Sequence, residues 1–345
     1  MNFTNTNKTF VIAEIGANHN GDMDLARKMI DEAKSLGCDA VKFQSWDTSL
    51  FSKQVYEKNF FLGDDYRKRD DFTLKEIVDK FAVSHDQLQN LKSYCDEIGI
   101  IYSTTPFSVQ QLNELMELDP AFIKIASMDL NNERLLKASG ETQKPVIFST
   151  GFGTLAEIDQ AVRWIEATGN SNLTILHCVS LYPPQDNEVN LNNMDLLRDA
   201  FGYPVGFSDH SLGAEIALAS IAKGATVLEK HFTLDKTMFG WDHHMSADPQ
   251  EMKTIMDGRD RICAALGSRR IQPSTRELER RDEYRRSIVS VRTIPKGTVI
   301  RDEDLDYRRP GTGLAPSQSH LIIGCISAHD IPEDTLISVS DIEKN

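Results

Sequence analysis

Short runs of β-branched and apolar residues alternate with amphipathic stretches from the start of the chain to about residue 266. The runs fall at residues 9–14, 40–44, 100–104, 122–126, 146–149, 173–177, 205–208 and 227–231, each of a length suited to a strand. Between them lie segments such as MDLARKMIDEAKSLG and HDQLQNLKSYCDEIG, whose apolar residues recur at helical spacing. Several helical segments open with a capping-box pattern: Ser84 with Gln87, Ser108 with Gln111, Thr154 with Glu157, and Asp248 with Glu251. Eight strand–helix units predict an α/β fold of the (β/α)8 TIM-barrel type. An open, doubly wound sheet shares the same periodicity. The count of eight, and the polar residues just after nearly every strand, favour the barrel.

Three segments break the alternation. Residues 45–83 are too long for an ordinary connection between a strand and its helix, and they are rich in charge and aromatics. A lid, a dimer contact and a plain surface excursion all fit. Residues 267–286 are dense in arginine and acid and read as a linker, partly helical and solvated. From residue 287 to 345 the pattern changes to short strands and turns, which predicts a small β-rich domain after a catalytic-sized unit at 1–266.

Composition narrows the function class. Hydrophobic residues make up 40% and charged residues 26% of the 345, ordinary values for a globular protein with a sizeable core. A net charge of −14 argues against a general nucleic-acid binder but leaves room for lysines focused in a cleft. No apolar run approaches the roughly 20 residues of a membrane span, and the polar start MNFTNTNKTF does not resemble a signal peptide. Five widely spread cysteines suit free thiols in a reducing compartment. The expectation is a cytoplasmic protein with no membrane and no nucleic-acid partner.

Active sites of (β/α)8 barrels lie at the C-terminal ends of the strands, so the residues there matter most. They include Glu14, Asn18 and His19, then Lys42 and Gln44, Thr105, Lys124 and Ser127, and Ser149. The last three strands add His177, Ser180 and Tyr182, then Ser208, Asp209 and His210, then Glu229 and His231. His210 and His231, at the ends of adjacent strands, are close enough to share a metal ion, or else to hydrogen-bond as a pair. Two inward lysines among hydroxyls from Thr105, Ser127 and Ser208 suit a phosphate and a carboxylate. A structural lysine–glutamate pairing with Glu14 or Glu229 is the competing reading. Glu14 is a candidate acid or base and equally a partner for Lys42.

The motifs AEIGANHNG, KFQS, STTPFS, KIAS, STG, SDHSLG and EKHF occur in the order and spacing of the sialic acid (nonulosonic acid) synthase family, which this chain resembles over nearly its whole length. Arg308-Arg309-Pro310-Gly311, with Gly313, is similar to the motif of that family's C-terminal antifreeze-like (SAF, β-clip) domain. The resemblance implies that Lys42, Thr105, Lys124, Ser127, Ser149 and Ser208 bind phosphoenolpyruvate. It implies that His210 and His231 ligate a divalent metal, usually Mn2+, with Mg2+ or Co2+ as alternatives. Glu14, Gln44, Tyr182 and Asp242 match positions that face the sugar. Arg309 matches an arginine that one subunit inserts into its partner's barrel, which implies a domain-exchanged homodimer.

The chain departs from N-acetylneuraminate synthases at Ser180, where they usually carry Asn. It departs again at Ala126-Ser127-Met128-Asp129, where they carry Gly-Ser-Gly-Glu. KIAS and HCVSLYP are similar to the pseudaminic acid synthase branch. The expected reaction joins phosphoenolpyruvate to an N-acetylated amino-sugar aldehyde. Glu14, Lys42, Lys124 and Glu229 are the catalytic candidates; Ser180 joins the substrate-binding set. The alternatives are another phosphoenolpyruvate-dependent synthase of 3-deoxy sugar acids, and a non-catalytic carbohydrate-binding protein.

Overall fold

A computed structural model describes residues 8–57, 73–268 and 270–344. The chain divides after Gly267 into two compact units. The first is an eight-stranded parallel barrel with strands β1 (Phe10–Gly16), β2 (Ala40–Gln44), β3 (Ile101–Thr105), β4 (Ile123–Ile125), β5 (Val146–Ser149), β6 (Leu173–Cys178), β7 (Val205–Asp209) and β8 (Val227–His231). The ladders run β3-β2-β1-β8-β7-β6-β5-β4, and the hydroxyl of Ser103 in β3 donates to the carbonyl of Phe122 beside β4 at 3.0 Å, across the closing seam. Strand edges differ from the sequence reading by a residue or two. β4 is shorter than expected, β1 runs on to Gly16, and β3, β6 and β7 each end one residue later.

Alternation along each strand sorts side chains between the barrel interior and the helix layer. Phe10, Ile12, Ala40, Phe122, Ile147, Leu176 and Val227 fill the lower interior as one apolar cluster. Two residues further along β1, β2, β5 and β8 stand Glu14, Lys42, Ser149 and Glu229, with Lys124 on β4 and Ser208 on β7 beside them, so the barrel changes from apolar to charged towards the strand ends. The outward residues, among them Val11, Ala13, Val41, Phe43 and Phe207, pack against helices such as Met23–Ser35 and His85–Ile98 in the main core.

The capping boxes at Ser84, Thr154 and Asp248 are formed as read. At Ser108 only half of the motif exists. Its hydroxyl accepts from the Gln111 N–H, but the Gln111 side chain accepts from Phe107 N–H instead and donates to Asp47 at 3.2 Å. Gln111 thereby ties the β3 end to the segment after β2. That long segment contains the helices Lys53–Glu57 and Leu74–Phe81; residues 58–72 of it lie outside the described residues. Its apolar side, with Trp46, Ile77 and Phe81, gathers Trp241 from the loop after β8, the Trp46 and Trp241 ring centroids lying 4.9 Å apart.

The second unit begins with helices Thr275–Glu279 and Arg281–Tyr284. Two antiparallel pairs follow, β9 (Ser287–Ser290) with β10 (Leu305–Arg308) and β11 (Ile326–Ser327) with β12 (Ile342–Glu343). Ile288, Ile294, Ile300, Ile322, Ile331 and Ile337 form its own core. Among the described residues all five cysteines are unpaired, and no helix is long and apolar enough to cross a membrane.

One ion pair lies wholly in the layer between barrel and helices. Lys230 Nζ donates to Asp209 Oδ2 and to the Ser211 carbonyl, each at 2.8 Å, with both charged side chains at most 1% exposed. Removing one partner strands the other as an uncompensated buried charge. Lys230→Met is therefore expected to lose about 3–5 kcal/mol of unfolding free energy in urea titrations. A loss below about 1 kcal/mol would show that the pair is dispensable.

Candidate active site

The upper interior of the barrel holds four charges in contact. Glu14 forms an ion pair with Lys42 and accepts from Gln44 Nε2 at 3.1 Å. Lys42 also donates to Thr105 Oγ1 at 2.8 Å and stands 3.8 Å from Glu229. Lys124 lies 3.6 Å from the other Glu229 oxygen and donates to Ser149 Oγ at 2.8 Å and to the Ile125 carbonyl at 3.0 Å. Ser208 donates to Glu229 at 3.0 Å. The register across β8, β1 and β2, with Glu14 opposite both Lys42 and His231, makes this convergence unavoidable once the barrel closes.

Burial sets the protonation of these groups. It pushes Glu14 up to about 7, with Lys42 opposing the shift and Glu229 adding to it. Glu229 feels the same desolvation, but Lys124 and Lys42 together outweigh it and hold its carboxyl below the usual range. Burial also pulls Lys124 below its ordinary value against the pull of Glu229. Two carboxylates sharing two lysines thus have their affinities for protons driven apart, the arrangement in which acid and base roles separate.

A cavity of about 470 Å³ opens above the cluster. Lys42, Gln44, Thr105, Lys124, Ser127, Ser149, Ser180, Tyr182, Ser208, His210 and Glu229 line it. These are the strand-end candidates that line it; Glu14 and His231 stand just beside them, paired with Lys42 and set against His210. Gly151 stands where any side chain would intrude: a Cβ there would meet Ser180 Oγ at 2.0 Å and Ser127 Oγ at 2.7 Å. Its N–H donates to Ser127 Oγ at 3.0 Å, so the backbone comes in close and aims that hydroxyl.

The His210 and His231 rings lie 5.5 Å apart, and the Tyr182 ring covers His210 at 4.2 Å. His210 Nδ1 donates to the Val179 carbonyl at 2.9 Å; burial works against its proton, but Cys178, that carbonyl and Asp209 outweigh burial and push it up to about 9. His231 Nδ1 is buried without a hydrogen-bond partner, 3.8 Å from an Asp242 oxygen. Burial, reinforced by His210 and the nearby lysines, holds His231 well below its usual pKa and so neutral. Burial also pushes the Asp242 carboxyl up to about 6. A divalent cation would have to displace the proton of His210; two imidazole nitrogens beside the Asp242 carboxyl then suit it. Among the described residues no three His, Cys, Asp or Glu side chains could hold an ion by themselves, so water or substrate oxygen would have to complete the shell.

Other polar strand-end residues serve the scaffold. Asn18 donates to the Phe232 carbonyl at 2.9 Å and to Ser246 at 2.8 Å, and Asn20 donates to the Phe239 carbonyl. These bonds pin the loop after β8 that carries Asp242. His19 accepts from Gly21 N–H, and His177 bonds the Val189 carbonyl, both away from the cavity. Asp209 faces outward to Lys230. Arg309 belongs to the second unit. Sequence reasoning missed Cys178, Phe51, Phe107, Met128 and Phe152, which also line the cavity. Cys178 was readable, because inward and outward positions alternate and His177 points out; the others sit on loops with no periodicity to follow.

This layout can be set beside known proteins. A profile of the NeuB family matches residues 29–270, and one of the SAF domain matches residues 285–343. The chain belongs to the NeuB family of nonulosonic acid synthases. It is 36% identical to the N,N'-diacetyllegionaminic acid synthase of Campylobacter jejuni, over 96% of this chain and 99% of that protein. It is 30% identical to a pseudaminic acid synthase of the same species, over 99% and 98%. The solved N-acetylneuraminic acid synthetase of Leptospira borgpetersenii, crystallised with citrate, is similar with a TM-score of 0.68 at 34% identity, covering 79% of this chain and 90% of that one. The NeuB-family match spans β2 to β8, which carry Lys42, Lys124 and Glu229; Glu14, on β1, precedes it.

The charge cluster yields a direct test. Glu14, labelled and followed by carbon NMR, should titrate near pH 7 in the ligand-free protein. Glu229→Gln removes a neighbouring negative charge and should move that midpoint down. An ordinary carboxylate midpoint near 4.3 in the parent protein would contradict the burial argument.

Proposed function

We propose that this protein condenses phosphoenolpyruvate with an N-acetylated amino-sugar aldehyde to give a nine-carbon 2-keto-3-deoxy acid and phosphate. The observation that carries the reading is one cavity walled by two lysines, several hydroxyls and the His210 imidazole, with the His231 ring 5.5 Å from that of His210. The family supports the reaction class. The higher identity to the legionaminic relative than to the pseudaminic one favours a six-carbon aldehyde with two acetamido groups, since three of the nine product carbons come from phosphoenolpyruvate.

In this mechanism Lys42 and Lys124 hold the phosphate and carboxylate of phosphoenolpyruvate, with Thr105, Ser127, Ser149 and Ser208 completing the hydrogen bonds. A divalent ion on His210 and His231, Mn2+ by preference, would supply Lewis acidity towards an aldehyde oxygen. Gln44, Tyr182, Ser180 and Asp242 face and orient the sugar. C3 of phosphoenolpyruvate bonds to the aldehyde carbon, whose oxygen takes up a proton. Water adds to C2 and gives a proton to Glu14, which burial makes a base suited to neutral pH. Phosphate then leaves C2 and the ketone forms. Glu229 keeps both lysines paired and charged between turnovers.

We further propose a domain-exchanged homodimer in which Arg309 enters the partner's barrel. Support comes from the exposed apolar side chains around the mouth, with Phe152 at 78% and Met128 at 58% exposure, and Leu181 and Leu196 nearby. Such patches are seldom left bare. We place the enzyme in the cytoplasm, a reducing compartment that suits its unpaired thiols.

Phosphate release from phosphoenolpyruvate, measured with a panel of N-acetylated aldohexoses including N-acetylmannosamine and a diacetamido-dideoxyhexose, tests the reaction. Release should require both substrates, disappear on exhaustive chelation and return with Mn2+. No release with any aldehyde would leave the carbohydrate-binding alternative standing. Lys124→Ala should raise KM for phosphoenolpyruvate at least tenfold, since a charge-assisted hydrogen bond contributes about 1.5–3 kcal/mol. A rise confined to the sugar KM would reassign Lys124 to the other substrate.

A further inference from the structure

Arg309 differs from its neighbour in what holds it. Arg308 is tied down by Asp306 at 3.1 Å and Asp334 at 2.6 Å. Arg309 has no hydrogen bond or ion pair among the described residues; its guanidinium lies over the ring of Tyr284, 5.1 Å from the centroid. The guanidinium of Arg280 lies 4.7 Å from the same ring, and its N–H bonds the Tyr284 hydroxyl. Tyr284 ends the helix Arg281–Tyr284, within the stretch that reads from sequence as a solvated linker.

That stretch is fastened to the turn carrying Arg309. Gly311 N–H donates to the Asp282 carbonyl at 2.6 Å. Ser287 Oγ donates to the Pro310 carbonyl at 2.7 Å and accepts from Gly313 N–H at 2.8 Å. A Cβ at Gly311 would come within 2.6 Å of Arg285 Cβ and 3.1 Å of the Arg285 carbonyl carbon. The turn therefore rests directly on residues 282–287, with a glycine at the point of closest approach. The backbone of the turn is fixed by these bonds, and the direction of the long Arg309 side chain is fixed by an aromatic face. All five guanidinium N–H groups remain available to a ligand.

We propose that Tyr284 is a positioning residue: it holds the Arg309 guanidinium pre-aimed, so that the segment before β9 acts as the base of the sugar-recognition arm and not as a tether. This rests on the reading that Arg309 completes a sugar site. A stacked, otherwise unpaired guanidinium loses little freedom on binding, and this preorganisation shows in the affinity for whatever it contacts.

The test uses the full-length protein and the panel sugar that gives the highest phosphate release. Tyr284→Leu should raise KM for that sugar about 2- to 5-fold, the effect of losing an exposed cation–π contact. KM for phosphoenolpyruvate and the melting temperature should stay at parent values. Tyr284→Phe keeps the ring and should match the parent. In an Arg309→Ala background, Tyr284→Leu should add nothing further. If Arg309→Ala alone leaves the sugar KM unchanged, the underlying reading of Arg309 fails. If Arg309→Ala raises it while Tyr284→Leu does not, or if the two effects multiply independently, the Arg309 reading stands and the positioning role is overturned. Equal losses for both substrates, or a lowered melting temperature, would mark Tyr284 as merely structural.

Discussion

Four charges buried in the mouth of an otherwise apolar barrel are the constraint around which the first unit is organised. Glu14, Lys42, Lys124 and Glu229 are each at most 5% exposed, and none could stay ionised alone at that depth. Together they are formally neutral, and each lysine has a carboxylate and a hydroxyl within reach. Such a cluster contributes little net stability compared with an apolar filling. Ammonium groups held dry and fixed in this way can meet an anion without solvent reorganisation, which is the role proposed for them.

The lower interior makes this arrangement affordable in structural terms. Phe10, Ile12, Phe122, Ile147, Leu176 and Val227 close the barrel floor, so the strands are held together by apolar contact before the charged layer begins. Behind the strand ends, Lys230 and Asp209 form a second, outward-facing pair. Asp209 also accepts from the Ser211 N–H at 2.8 Å and from its hydroxyl at 2.6 Å. His210 therefore sits between two residues of one clamped turn. Asn18 and Asn20 do similar work for the loop that brings Asp242 towards His231. Residues that look catalytic by their place in a motif thus support the site from outside it.

Much of this was legible beforehand because strands impose a period of two and barrels present their strand ends to solvent. Lys42, Thr105, Lys124, Ser208 and Glu229 could be placed in the mouth on those grounds alone. The same period puts His177 and Asp209, each beside an inward residue, out in the helix layer. Asn18 and His19 could not be sorted this way, because they follow the strand, where a turn resets the alternation. The half-formed cap at Ser108 fails for a related reason: the Gln111 side chain finds Phe107 and Asp47, partners supplied by another part of the fold. Cap motifs describe local competition, and here a tertiary partner won it.

The sequence by itself determined the succession of strands and helices, the residues offered at the strand ends, and the family. All of these follow from local periodicity or from motifs read in order. The tertiary structure alone decided which offers converge. Whether Glu14 would pair with Lys42 or stand free, and whether His231 would be left neutral, depended on closure of the barrel and on the dielectric it creates. It likewise decided that the arginine-rich stretch before β9 is bonded to the Arg309 turn, a contact between residues about 25 positions apart that no local pattern announces. Proton affinity, ion pairing and aim are set by what stands within a few ångströms, and those neighbours come from distant parts of the chain.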